Sequence, residues 1–161
     1  MGAGLAAMSA RLSVNHWDGA ADAALQADAL IARVAPLAPA DGAAYEEVLT
    51  ALRLPKTLEP VVREAAIGNA LARAAEIPFE IAGCAAETAE LAALVAENGN
   101  PNLRSDAAGG ATLAASAAQV AAHLVAINMG TDGDDTIVLQ ARERATAAQL
   151  AAERALAATR R

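Results

Sequence analysis

The 161 residues include 12 basic and 19 acidic side chains, giving a net charge of −7, and are 55 % hydrophobic while only 2 % aromatic. A single domain of this length buries about 70 % of the surface its unfolded chain exposes, so neither a disulfide nor a metal is needed to hold a core. Basic residues scattered along the chain exclude the clustered Lys and Arg of a nucleic-acid surface, and the lone Cys84 excludes an internal disulfide and reads as a small core residue in a reducing, cytoplasmic setting.

Alanine supplies most of the apolar content and is the strongest helix former, so the expected fold is all-α, a single domain over residues 1–161 built as an up-and-down helical bundle. Leu5, Met8 and Leu12 recur at helical spacing and predict a short helix over residues 3–14. After the turn Asn15-His16-Trp17-Asp18-Gly19, a second helix over residues 21–34 places Leu25, Ala29 and Ile31 near one face, and Pro36 and Pro39 stop it. Asp41 is placed to cap a third helix in which Tyr45, Val48, Leu49 and Leu52 fall at i, i+3, i+4 and i+7. Leu54-Pro55-Lys56 breaks that helix, Thr57 caps a fourth running to Glu76, and Pro78 starts or kinks a nearly collinear piece reaching about Glu97.

Residues 98–106, Asn-Gly-Asn-Pro-Asn-Leu-Arg-Ser-Asp, reverse the chain, and Ser105-Asp106 is a favoured pair for opening the next helix. Residues 107–131 then contain no Asp, Glu, Lys or Arg. Asp106, Gly110, Leu113, Ala117, Val120, Leu124 and Ile127 form a seam of alternating four- and three-residue steps, with alanine on the flanks as well. A helix apolar all round belongs at the centre of a bundle or between a bundle and a second subunit. At about 37 Å it is long enough to cross a bilayer, but Ser116, Gln119, His123, Asn128 and the weak hydrophobicity of alanine point to a buried helix instead. A turn over residues 130–135 leads to a charged outer helix ending at Arg161.

Other chemistries find little support. Met1-Gly2-Ala3-Gly4-Leu5-Ala6-Ala7 imitates a dinucleotide fingerprint but has no strand before it. Arg11 interrupts any secretory signal. His16 and His123 are isolated, so no metal site is expected, and no Gly-x-Ser-x-Gly elbow occurs. What remains is a set of carboxylates and amides.

Those residues form four ordered blocks: Tyr45-Glu46-x-x-Leu49-x-x-x-Arg53-Leu54-Pro55-Lys56; Glu76-Ile77-Pro78-Phe79-Glu80-Ile81-Ala82; Gly99-Asn100-Pro101-Asn102-x-x-Ser105-Asp106; and Ile127-Asn128-Met129. In order and spacing the chain resembles the cyclodeaminase/cyclohydrolase family over residues 5 to about 135. The resemblance implies an all-helical, dimeric bundle acting on a one-carbon unit bridged between two nitrogens of tetrahydrofolate. A cyclohydrolase adds water to the methenyl amidinium carbon and opens the ring; a cyclodeaminase closes the ring from formiminotetrahydrofolate and expels ammonia. Both pass through a tetrahedral carbon and need a proton carrier beside it. The folate is then the substrate, and no permanently bound cofactor is implied.

Carried onto this chain, the resemblance assigns substrate binding to Asn102, Ser105, Asp106 and Asn128. It sets Lys56, the chain's lone lysine, alone or with Arg104, against the glutamate tail of folate. Helix capping accounts for Ser105 and Asp106 without any catalysis, turn chemistry accounts for Asn102, a C-cap for Asn128, and a solvated turn for Lys56; both readings stand at this point. The family opens with a Gly-Gly-Gly-Ser segment that precedes the region matched here, and it carries two acids two residues apart where this chain has Pro39 and Asp41. Asp41 is therefore the leading catalytic candidate, though it also suits an N-cap. The reading is a folate-dependent one-carbon enzyme, cyclohydrolase slightly ahead of cyclodeaminase; the alternative is a diverged, non-catalytic helical member serving as a dimerisation or binding module.

Overall fold

The computed structural model describes residues 1–130 and 135–160. Among these it contains six α-helices and no strand: α1 (Gly2–Arg11), α2 (Ala20–Val34), α3 (Leu37–Leu52), α4 (Pro60–Asn98), α5 (Arg104–Met129) and α6 (Thr136–Ala158), with a 3-10 turn at Pro101–Leu103 leading into α5. The all-α expectation holds. The turn placed over residues 130–135 lies mostly in residues 131–134, outside the described residues.

Several boundaries differ from the sequence pattern, and prolines account for most of the differences. Pro36 and Pro39 do not merely end α2. Pro36 sits at the N-cap of α3 and Pro39 in its first turn, where the missing N–H would have had no intrahelical partner in any case. Asp41 therefore lies inside α3 and caps nothing. Thr57 likewise does not cap α4, which starts at Pro60 with Glu59 as N-cap. Pro78 does not start a new element; α4 runs unbroken through it. Ser105 and Asp106 do not cap α5, because they already lie inside it behind Leu103 at the N-cap; the side-chain cap is that of the preceding 3-10 turn, where Asn100 Oδ1 accepts from Asn102 N at 3.0 Å. At the start of α6, Asp135 Oδ1 accepts from Ile137 N at 3.1 Å.

The main core is built from alanine. Ala6, Ala10, Ala27, Ala89, Ala92, Ala93, Ala96, Ala107, Ala111, Ala118, Ala141, Ala148 and Ala155 are all at 0 % exposure, joined by few larger residues such as Leu91, Val95, Val125 and Val138. Alanine orders without loss of side-chain entropy, so each contributes little burial yet costs nothing to fix. The compensation is close approach of the α4, α5 and α6 backbones. A second, smaller cluster of Val48, Ala51, Ala70 and Ala74 holds α3 against the first half of α4. The molecule is thus a main bundle of α1, α2, the second half of α4, α5 and α6, with an arm formed by α3 and the first half of α4.

Two placements depart from the bundle expected from the pattern. The charged helix α6 is no mere outer cover, since it buries Val138 and seven alanines from Ala141 to Ala158. In α5, of the two settings expected from the pattern, the centre of a single bundle does not hold: within one protomer the helix has one buried and one open face. Ala107, Ala111, Ala114, Ala118, Ala121, Ala122 and Val125 are buried, whereas Leu113, Val120, Leu124 and Ile127 remain 44, 62, 41 and 57 % exposed. Helices α1, α4 and α6 cover only the alanine side.

Candidate functional site

The open face of α5 forms one wall of two adjoining cavities. The first, of about 380 Å³, is lined by Asp41 at the start of the arm, by Pro78 and Ile81 of α4, and by Ser116, Ala117, Val120, Ala121 and Leu124 of α5. The second, of about 240 Å³, shares Ile81 and Ala117 with it and extends past Cys84, Thr88 and Leu113 to Met1 and Gly2 at the head of α1. The walls are mainly apolar, which suits a flat heterocycle, and the polar groups are few.

Among the described residues Asp41 is the only charged side chain lining the first cavity. It makes no hydrogen bond or ion pair among the described residues. Because α3 begins at Leu37, the carboxylate is not consumed by capping, and nothing in the fold requires an acid there. Ser116 is the one hydroxyl lining that cavity, and it donates to Thr112 O at 3.0 Å, leaving its oxygen able to accept. Sequence reasoning passed over Ser116 as one polar residue in an apolar run. Its signal was position: it stands three residues after Leu113 and beside Ala117, on the seam that faces outward.

Asn128 lies one turn beyond Leu124, and its Nδ2 donates to Ala74 O at 3.0 Å. Ala74 is the residue four before Pro78, so its carbonyl is the acceptor that Pro78, lacking an N–H, leaves vacant. Asn128 is not a C-cap; Gly130, at φ 63°, terminates α5. A buried carbonyl without a donor costs about 1–3 kcal/mol, which is the scale of this contact.

The remaining candidates lie elsewhere. Asn102, Ser105 and Asp106 are exposed, and their side chains make no hydrogen bonds among the described residues. From Asp106 to Ser116 is ten residues, roughly 15 Å along α5, so within one protomer Asp41 and the Ser-Asp tip do not meet. Arg104, half-buried at the start of α5, has a buried Nε with no partner. Lys56 is exposed in the turn beyond the far end of α3. Asp41 to Arg53 is about 18 Å along that helix. The polar turn that precedes α5 is largely self-satisfied: Asn100 N donates to Ser13 Oγ at 2.8 Å, Asn100 Nδ2 to Leu12 O at 3.3 Å, and Asn98 Nδ2 to Leu94 O at 2.9 Å.

Cys84 is 2 % exposed, and burial pushes its thiol above the ordinary value, against the opposing pull of Arg33. A group held in the thiol form is a poor nucleophile. Among the described residues no group of three or more His, Cys, Asp or Glu could hold a metal ion.

Residues 1–147 match the sequence profile of a family described as Formiminotransferase-cyclodeaminase. The chain belongs to that family. Family membership places it in folate one-carbon metabolism. Among solved structures the fold is similar to a formiminotetrahydrofolate cyclodeaminase from Thermotoga maritima, with a TM-score of 0.84 and 23 % sequence identity, over 99 % of this chain and 82 % of that one. No curated protein matches the sequence. At that identity the structural likeness speaks for the helical fold alone, while the family match speaks for folate one-carbon metabolism. Among the described residues one helical segment is long and apolar enough to span a membrane, Pro101–Met129, which is the 3-10 turn together with α5, packed in the bundle along its alanine side.

Proposed function

We propose that this member of the formiminotransferase-cyclodeaminase family is an enzyme acting on the carbon bridged between two tetrahydrofolate nitrogens, with Asp41 as proton carrier. The observation that carries this is the placement of Asp41: a carboxylate with no structural duty, on the rim of an apolar cavity beside Ser116 and Pro78.

The apolar walls would hold the pterin face and keep bulk water from the reacting carbon. In the cyclohydrolase direction, water adds to the methenyl carbon and one of its protons passes to Asp41; Asp41 returns it to the folate nitrogen whose bond to carbon breaks, and the remaining hydroxyl proton leaves to solvent as the formyl C=O forms. In the cyclodeaminase direction, the exocyclic folate nitrogen that does not yet carry the one-carbon unit attacks the formimino carbon, and the same carboxylate carries its proton to the departing ammonia. One acid serves both reactions because each needs a proton moved between two nitrogens or between nitrogen and water. The family's description, Formiminotransferase-cyclodeaminase, supports the cyclodeaminase direction. Folate is elongated, so residues roughly 15 Å from Asp41 along α5, Ser105, Asp106 and Asn102, would serve its distal portion rather than the one-carbon unit. Lys56 and Arg104 would supply positive charge for the glutamate tail. Asn128 would border the pterin end through its free Oδ1.

A second copy of the chain is the proposed cover for the open face of α5. Leu113, Val120 and Leu124 both line the cavities and remain exposed, so a partner seated there would close the site over the substrate. A cytoplasmic location fits substrate and fold.

Loss of methenyltetrahydrofolate absorbance and release of ammonia from formiminotetrahydrofolate separate the two reactions. Asp41→Asn should lower kcat by 100-fold or more, on the scale of a lost general acid–base. Equal rates for wild type and variant would remove Asp41 from the mechanism, and a wild type inert toward both folates would favour the non-catalytic alternative.

A further inference from the structure

The arm that carries Asp41 joins the main bundle at the turn of α4 containing Pro78. Before that turn the buried residues of α4, Ala70 and Ala74, belong to the arm's cluster; after it, Ala85, Ala89 and their successors belong to the main core. Pro78 removes one helical hydrogen bond at this junction, which is the weakest point of a helix that must carry two packing units.

Two side chains from different helices close on it. From α5, Asn128 Nδ2 takes the vacant Ala74 carbonyl at 3.0 Å. From α6, Arg144 Nη1 donates to Phe79 O at 2.8 Å while its guanidinium lies 3.7 Å from the centre of the Phe79 ring. Gly83 makes room for that guanidinium: a Cβ there would come within 3.1 Å of Arg144 Nη1. Hydrogen bond, stacking and a glycine notch on one arginine indicate a fixed contact rather than a wandering surface charge.

We propose that Asn128 and Arg144 are positioning residues that clamp the Pro78 turn and so fix the arm in the pose that sets Asp41 over the cavity. This rests on the reading of Asp41 as proton carrier. It assigns Asn128 a duty distinct from contact with folate, and it gives Arg144 a functional role that neither charge nor motif suggested.

Restoring an N–H at residue 78 lets the helix satisfy Ala74 by itself, which separates the clamp from simple stability. Four proteins make the test: wild type, Asn128→Leu, Pro78→Ala, and the double variant. Asn128→Leu alone should lower Tm by about 4–8 °C, and by under about 2 °C when added to Pro78→Ala. The double variant, although stable, has lost the tie from arm to α5. Its backbone amides over residues 41–52 should exchange with deuterium at least about tenfold faster than those of wild type, and kcat toward the folate substrate should fall about tenfold. Arg144→Met, at a residue outside the folate site, should give the same pattern of faster exchange and lower kcat with KM changed less than about twofold. Equal destabilisation by Asn128→Leu in both backgrounds, or wild-type exchange over residues 41–52 in the double variant, would overturn the clamp. Exchange is read without substrate, so a wild type inactive on both folates would sink the assignment of reaction while the clamp is still decided.

Discussion

Adjacent glycines in α5 should respond in opposite directions to the same substitution. A Cβ at Gly110 would meet Gly2 O at 3.0 Å and Leu5 Cβ at 3.2 Å, whereas one at Gly109 would meet nothing within 4 Å. Replacing a helical glycine by alanine gains about 0.5–1 kcal/mol through reduced freedom of the unfolded chain and better helix propensity. Gly109→Ala keeps that gain whole. Gly110→Ala sets it against overpacking of a backbone carbonyl and a Cβ, neither of which can swing aside, at a cost of about 1–3 kcal/mol. The reciprocal contact is tighter still, since a Cβ at Gly2 would meet Gly110 O at 2.8 Å. The two variants should therefore differ by about 1–3 kcal/mol, or roughly 3–9 °C in Tm, with Gly109→Ala above wild type. Thermal unfolding followed by far-ultraviolet circular dichroism measures both under one condition. If Gly110→Ala were as stabilising as Gly109→Ala, α1 would not lie against α5 at this point, and the cavity bordered by Met1, Gly2 and Ala3 would lose its wall.

Ser13→Ala removes the acceptor of Asn100 N, whose bond to Ser13 Oγ measures 2.8 Å, and should destabilise by about 1–3 kcal/mol, visible as a lower urea midpoint with unchanged slope. Burial raises the thiol pKa of Cys84 in the folded state, so its contribution to stability is full below the ordinary thiol value and is lost as pH rises through the folded value; stability should decline in the alkaline range, and Cys84→Ala should flatten that decline in denaturation series across pH. Val120→Asp puts a charge at the centre of the open α5 face without touching the core, since Val120 is 62 % exposed; sedimentation should show a dimeric wild type and a monomeric, folded variant, and an unchanged association state would mean that this face is not the contact.

Helical content was legible because alanine and the recurrence of Leu, Val and Ile report directly on helix formation, and the extent of α2 was readable to within a residue. Prolines were harder to interpret. Pro36, Pro39 and Pro78 can each stop a helix, open one or sit within one, and the outcome depends on whether a vacant carbonyl finds a donor from elsewhere in the fold. For Pro78 that donor is Asn128, fifty-four positions from Ala74 in the chain, a pairing no local pattern contains. What covers α5 was hard to read for a related reason. Periodicity identifies which residues can be covered, but alanine on every flank fits a covered face and a naked one equally, and only the count of neighbouring helices decides between them.

Residues of the candidate site divided according to whether the fold needed them. Asn100 is fully explained by its bonds to Leu12, Ser13 and Asn102, so its polarity carries no functional information. The cap reading of Asp41, equally reasonable from sequence, lost its basis once α3 was seen to start four residues earlier at Leu37. Asp41 is exposed and so costs little to keep, but it stands on the rim of an apolar cavity, unpaired and uncapped, and is therefore available to a ligand seated there. Ser116 is weaker evidence, because its hydroxyl already donates within α5 and a serine there is tolerated for its helical back-bond alone. The functional argument therefore stands on Asp41 and on whatever holds Asp41 in place, which is why the Pro78 junction, rather than the Ser-Asp tip of α5, is where substitutions should separate stability from catalysis.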